Sequence, residues 1–206
     1  MRLFFTNDSI AVAVAIVLEE AGRAYDPVFV DFSRSEQTKP GFLAVNPKGR
    51  VPALEVDGQI LTETGAILEF LAALAPGIEL VPSDPLNAAR MREVMFYCAT
   101  TFHVNHAHKM RGHRWAEREE SWSDMTANVP QTMTASAAYI EATSLMGPLV
   151  LGDRLSLADP YLFICCSWLG NDQVDLAPFP KVRAFLEAMN ARASVTAIRD
   201  KGILTL

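Results

Sequence analysis

Asn46-Pro47-Lys48-Gly49-Arg50-Val51-Pro52-Ala53-Leu54-Glu55-Val56-Asp57-Gly58-Gln59-Ile60-Leu61-Thr62-Glu63-Thr64 carries more structural information than any other stretch of this 206-residue chain. Ala53–Val56 and Gln59–Thr62 flank Asp57-Gly58, a pair suited to the positive φ angles of a type I′ turn, which predicts an antiparallel hairpin. Apolar side chains at 67, 68, 70, 71 and 74 then recur at helical spacing, and Pro76-Gly77 ends the helix. The stretch is therefore the front of a ββα unit.

Working toward the start, Arg2–Phe5 is a short apolar run. Asn7-Asp8-Ser9 supplies turn and N-cap chemistry, and small and branched apolar residues continue to about Gly22. Val28–Val30 follows Pro27 as a second strand. A helical crossover between two such strands makes them parallel and right-handed, a βαβ unit. Residues 1–77 thus read as one βαβ-ββα domain. Working the other way, Ile78–Pro85 has no periodicity and contains Pro82 and Pro85, which places a domain boundary there. Residues 86–206 show no period-two segment, and helices are expected over 88–110, 125–145, 157–169 and 180–192. Ser156-Leu157-Ala158-Asp159 fits a capping box, with the Ser156 side chain on the N3 amide and Asp159 reaching back to the cap.

Half of the chain is hydrophobic, enough for a substantial core. Its 18 basic and 24 acidic residues, net −6, are scattered without a single-sign block, which argues against a nucleic-acid partner. Cys98, Cys165 and Cys166 fit neither a disulfide framework nor a zinc spacing, so a reducing cytoplasm is the expected location. The apolar run before Glu19-Glu20 is too short to span a bilayer and lacks a small-residue cleavage site, so it reads as a core helix, with no membrane association expected.

The segment Asn46–Leu54, the Asp57-Gly58 turn and Leu61-Thr62-Glu63-Thr64-Gly65-Ala66-Ile67 together resemble the glutathione site of cytosolic glutathione S-transferases. With the opening and Ser156–Asp159, the chain is most similar to the bacterial beta class. The resemblance implies a thioredoxin-like N-terminal domain followed by an all-α domain, glutathione as co-substrate, a small electrophile on the helical side and a homodimer. It also implies that Val51-Pro52 is a cis bond, X–Pro being the peptide type for which cis costs only about 1 kcal/mol. Val51 would then pair with the cysteinyl part of glutathione as an added strand does. Glu63 and Thr64 would receive the γ-glutamyl carboxylate at a helix N-terminus.

Transferase chemistry needs the glutathione thiol, with a pKa near ~8.5, converted to thiolate by a donor or a helix N-terminus beside the sulfur. The family supplies a Tyr near the end of the first strand, or a Ser or Cys where the first helix begins. Here the strand offers Phe5, and Ile10 stands in the beta-class cysteine position. Ser9, at the expected N-cap, is the candidate donor, with Thr6 and Asn7 behind it. His103 matches a beta-class histidine that faces the active site, so Ser9 and His103 are the candidate catalytic residues and Val51, Pro52, Glu63 and Thr64 the binding ones. His103 and His106 lie one turn apart, but His108 points elsewhere and no carboxylate completes a known spacing, so no metal is expected. The basic cluster at 109–114 has three readings: a complement to the helix C-terminus, a seat for an anionic substrate, or a reach across a dimer. Phe102, Trp115 and Trp122 either wall an apolar pocket or fill a core. Cys165-Cys166 reads as buried packing.

Three functions compete: a transferase conjugating glutathione to a small electrophile; a glutathione-dependent reductase, peroxidase or lyase; and a non-catalytic glutathione-binding member of the fold.

Overall fold

The computed structural model describes residues 1–206. Strand β1 (Arg2–Phe5) leads into helix α1 (Ala11–Glu20) and strand β2 (Asp26–Phe29). A short helix α2 (Pro40–Leu43), absent from the sequence reading, precedes strands β3 (Ala53–Val56) and β4 (Gln59–Thr62) and helix α3 (Thr64–Leu74). The sheet order is β2-β1-β3-β4. β1 runs parallel to β2 and antiparallel to β3, and the hairpin register pairs Val56 with Gln59. Asp57 at φ 49° and Gly58 at φ 76° give the turn both positive angles that its residue types require. This is the thioredoxin-like βαβ-ββα arrangement.

The rest is helical: α4 (Pro85–Tyr97), α5 (His103–Arg111), α6 (Glu119–Thr143), α7 (Ala158–Ser167), α8 (Pro180–Asn190) and α9 (Ala193–Asp200). A π turn over Cys98–Phe102 joins α4 to α5, so the single helix expected over 88–110 is two helices around a wider turn. Helix α6 begins before residue 125 because Glu119 and Glu120 in its first turn complement the helix dipole, and it continues through Pro130. Helix α9 follows α8 too closely for periodicity to separate the two.

Helix α1 is the common core. Ala11 through Leu18 are all inaccessible to solvent, because small and β-branched side chains let neighbours approach on every side. The sheet face and α3 cover it from one half, α7 and α9 from the other. Burying each Val, Ile or Leu of this helix contributes about 1.5–3 kcal/mol. The two halves are therefore fixed to each other through one helix, whose N-terminus opens on the cleft between them.

Around Ser156 the capping differs from the expected box. Asp159 does reach back, its buried carboxylate accepting from the Ser156 N–H (2.7 Å) and the Val150 N–H (2.7 Å). The Ser156 hydroxyl, however, donates to that carboxylate (2.8 Å) instead of accepting the N3 amide. Burial pushes Asp159 up to about 6. No helix is long and apolar enough to cross a membrane.

Candidate functional site

A cavity of about 250 Å³ lies where the β1–α1 loop, the Arg50-Val51 segment and α5 meet. Ser9, Val51 and His103 line it together, so three of the six residues singled out from sequence converge. Glu63 and Thr64 stand outside that lining, at the start of α3.

The Val51 side is shaped by its own loop. Buried Asn46 donates from Nδ2 to the Arg50 carbonyl (2.6 Å) and accepts the Lys48 N–H at Oδ1 (3.1 Å), folding Asn46–Arg50 into a compact turn. Gly49 sits at φ 62°, and a Cβ there would lie 2.9 Å from the Gln37 carbonyl oxygen, so only glycine fits. The Val51–Pro52 bond is cis. Neither the N–H nor the C=O of Val51 has a backbone partner in the protein. Lys48 ties this loop to the α3 start through the Thr62 hydroxyl (2.8 Å) and the Glu63 carboxylate. Glu63 is the N-cap of α3 at φ 71°, its side chain exposed, while Thr64 is buried beside Tyr161. Unpaired N–H groups of that first turn, the dipole and the Thr64 hydroxyl make the α3 start suited to a carboxylate.

The reactive turn departs from expectation. Ser9 does not cap α1 in the expected way: Ile10 occupies the N-cap with no side-chain bond, and Ser9 Oγ donates to the Thr6 carbonyl (2.7 Å), with only a 3.4 Å contact from the Ala11 N–H. The Thr6 hydroxyl and the Ile10 N–H have no protein partner. Phe5 is buried edge-on to Phe29, and Ile10 is buried in the core, so both positions that carry thiol chemistry elsewhere are packing residues here.

Trp168, just past α7, connects the two walls, and nothing in its sequence context marked it. Its Nε1–H donates to the Asp8 carbonyl (2.8 Å), and its ring stacks on His106 (4.2 Å between centroids) with His103 at 5.1 Å. Asp8, at φ 56°, is held further by residues near the other end of the sequence. Its N–H donates to the Ile203 carbonyl (3.1 Å), and its carboxylate accepts the Thr205 (2.6 Å) and Leu206 (3.2 Å) N–H groups.

On α5, burial foremost, then the charges of His106, Arg114, Arg50 and Arg111, push His103 down to about 4, leaving the imidazole neutral near pH 7. His106 Nδ1 meets the buried Asp172 carboxylate at 2.5 Å, and Lys109 meets its other oxygen at 3.0 Å. Arg50, Arg111 and Arg114 also line the cavity. Phe102 is core, and neither Trp115 nor Trp122 reaches the cavity, whose aromatic surfaces are Phe32 and Trp168. Cys98, Cys165 and Cys166 are buried, and burial pushes the Cys165 and Cys166 thiols well up, which keeps them unreactive.

The family model described as the N-terminal domain of glutathione S-transferase matches residues 2–73. A glutathione transferase homolog from Sulfitobacter, solved with bound glutathione, is 58% identical, with 98% of each chain covered and a TM-score of 0.97. A beta-class glutathione S-transferase from Sphingomonas chungbukensis is 28% identical, again over 98% of each chain, with a TM-score of 0.84. Among curated proteins, maleylacetoacetate isomerase of Pseudomonas aeruginosa is 33% identical over 89% of this chain and 88% of its own.

Proposed function

The chain belongs to the glutathione S-transferase family, and from that premise we propose that it joins the thiol of glutathione to a small electrophile in the cleft between its two halves. The observation that carries this reading is the pair of unmet backbone groups on Val51 facing a short turn with unpaired donors, all on one cavity. The cysteinyl backbone of glutathione pairs with Val51 beside Pro52, and the γ-glutamyl carboxylate lies at Glu63 and Thr64, where the α3 N-terminus attracts it. That pose brings the sulfur to the N-terminus of α1.

The thiolate is then stabilised by the Ile10 N–H, by the positive end of α1 and by a hydroxyl. Ser9 supplies that hydroxyl by turning from the Thr6 carbonyl to the sulfur, and Thr6, whose hydroxyl is uncommitted, is the second donor. Neutral His103 lies on the opposite wall, able to hydrogen-bond glutathione or polarise the electrophile. As the C–S bond forms, the electrophile's leaving group departs with its electron pair, or an activated double bond takes up a proton from solvent.

A redox reading needs either a reactive protein thiol, and the three cysteines are buried away from the cavity, or a stabilised glutathione thiolate at the same α1 N-terminus. Homodimerisation and a cytoplasmic location are part of the same proposal. Calorimetric titration of glutathione, with the ultraviolet absorbance of bound thiolate recorded for wild type, Ser9→Ala and Thr6→Val, tests it. Absence of binding refutes the reading. Binding without thiolate identifies a non-catalytic glutathione-binding protein, and loss of the thiolate band in one variant assigns the hydroxyl.

A further inference from the structure

Helix α5 and the turn after it carry two kinds of cation. Lys109 and His106 are matched by buried Asp172. Arg111 and Arg114 follow directly, and Arg50 comes from the Val51 loop. All three line the same cavity, and none takes part in any ion pair of the structure. The only carboxylate on the cavity wall is that of Asp8, already occupied by the Thr205 and Leu206 N–H groups.

In a chain with 24 acidic against 18 basic residues, partners for arginine are in surplus, yet three guanidiniums gather here without one. Their crowding has an electrostatic signature. Burial and then Arg50 push Arg111 down, and burial followed by Arg50 and Arg111 pushes Arg114 down to about 10. Arg111 is half-buried and Arg50 and Arg114 stand at the cleft mouth, and like charges held together there favour an anion entering it. Arg111 is also fixed in direction, its guanidinium lying 5.3 Å from the centre of the Phe32 ring.

Resting on the transferase reading above, we propose that Arg111 and Arg114, with Arg50 facing them, are the specificity determinants of the electrophile side, and that the preferred electrophiles carry a carboxylate at the end away from the carbon that glutathione attacks. A planar guanidinium takes a carboxylate through two parallel N–H bonds and so fixes its orientation as well as its charge. The anchored end lies on the α5 side, leaving the reacting carbon toward the Ser9–Ile10 turn.

The test compares 4-chloro-3-nitrobenzoate with its uncharged counterpart 4-chloro-3-nitrobenzamide at saturating glutathione. In each, the C–S bond forms at the ring carbon and chloride leaves with the C–Cl electron pair. Each kcat/KM is divided by the uncatalysed rate constant. The benzoate is expected to be favoured by about 10–100-fold, and Arg111→Ala and Arg114→Ala to bring that ratio close to unity, while rates with the amide report that the variants are folded. In parallel, succinate is titrated calorimetrically into the complex with S-methylglutathione and into the free protein; binding lost in both arginine variants supports the receptor. An unchanged ratio with weakened glutathione binding would assign the arginines to the glycyl carboxylate of glutathione and overturn the proposal. Equal use of amide and benzoate by the wild type overturns it as well. Succinate binding to a protein that does not bind S-methylglutathione would sink the transferase reading while leaving the anion receptor standing.

Discussion

The two walls of the cleft offer the proposed ligands different kinds of group. The N-terminal wall presents backbone groups: the Val51 N–H and C=O, the Ile10 N–H and the first turn of α3. The helical wall presents side chains: His103, Arg111 and Arg114. Backbone recognition is rigid, because Asn46, Gly49 and the hairpin fix each amide, and it suits a ligand that never changes. Side-chain recognition is adjustable one residue at a time, which suits the partner that distinguishes one relative from another.

The comparison breaks most completely if the helix between the walls is loosened. Ile16→Ala is expected to cost about 3 kcal/mol in urea unfolding, by removing a fully buried side chain that both halves share. A midpoint unchanged from wild type would mean that the halves are held together elsewhere. Next in size, Thr64→Val should weaken glutathione about tenfold or more in calorimetry while leaving KM for the electrophile unchanged, since a hydroxyl bonded to a carboxylate is worth about 1.5–3 kcal/mol. A shift in the electrophile KM instead would place Thr64 on the other wall's account. Trp168→Phe keeps the ring against His106 and removes the bond to the Asp8 carbonyl. It should lower kcat several-fold, about 1 kcal/mol, with glutathione affinity retained. Smallest is the effect of pH. Because the fold holds His103 neutral down to about 4, kcat should show no limb near the ordinary histidine value of ~6.5. By the same sign, the unfolded chain binds that proton more readily, so acidification from ~6.5 through about 4 removes stability. A limb near neutrality that vanishes in His103→Gln would contradict this.

The difference between the walls also explains what could be read in advance. Backbone sites are encoded by residues close in sequence: Asp57-Gly58 fixes a turn, Asn46 and Gly49 shape a loop, and Thr62-Glu63-Thr64 opens a helix. The antiparallel hairpin and the parallel pairing of β1 with β2 were legible for that reason, whereas the cis bond and the places of Val51 and His103 came from the family resemblance. Ser9 as a cap was not, because the competing acceptor, the Thr6 carbonyl, becomes available only when the loop closes. Trp168 and the contrast between Lys109 and Arg111 were invisible too. What separates two cations on one helix is a single acid, Asp172, brought in by another segment, and no periodicity reports that.

The hold on Asp8 by Thr205 sets an order in time. Those residues are 197 positions apart, so almost the whole chain must be made and folded before the reactive turn is pinned. Closing so distant a contact costs more chain entropy than closing the Asn46–Arg50 turn, so in a partly unfolded molecule the Asn46–Arg50 turn is expected to be in place while the Asp8 turn is still unpinned.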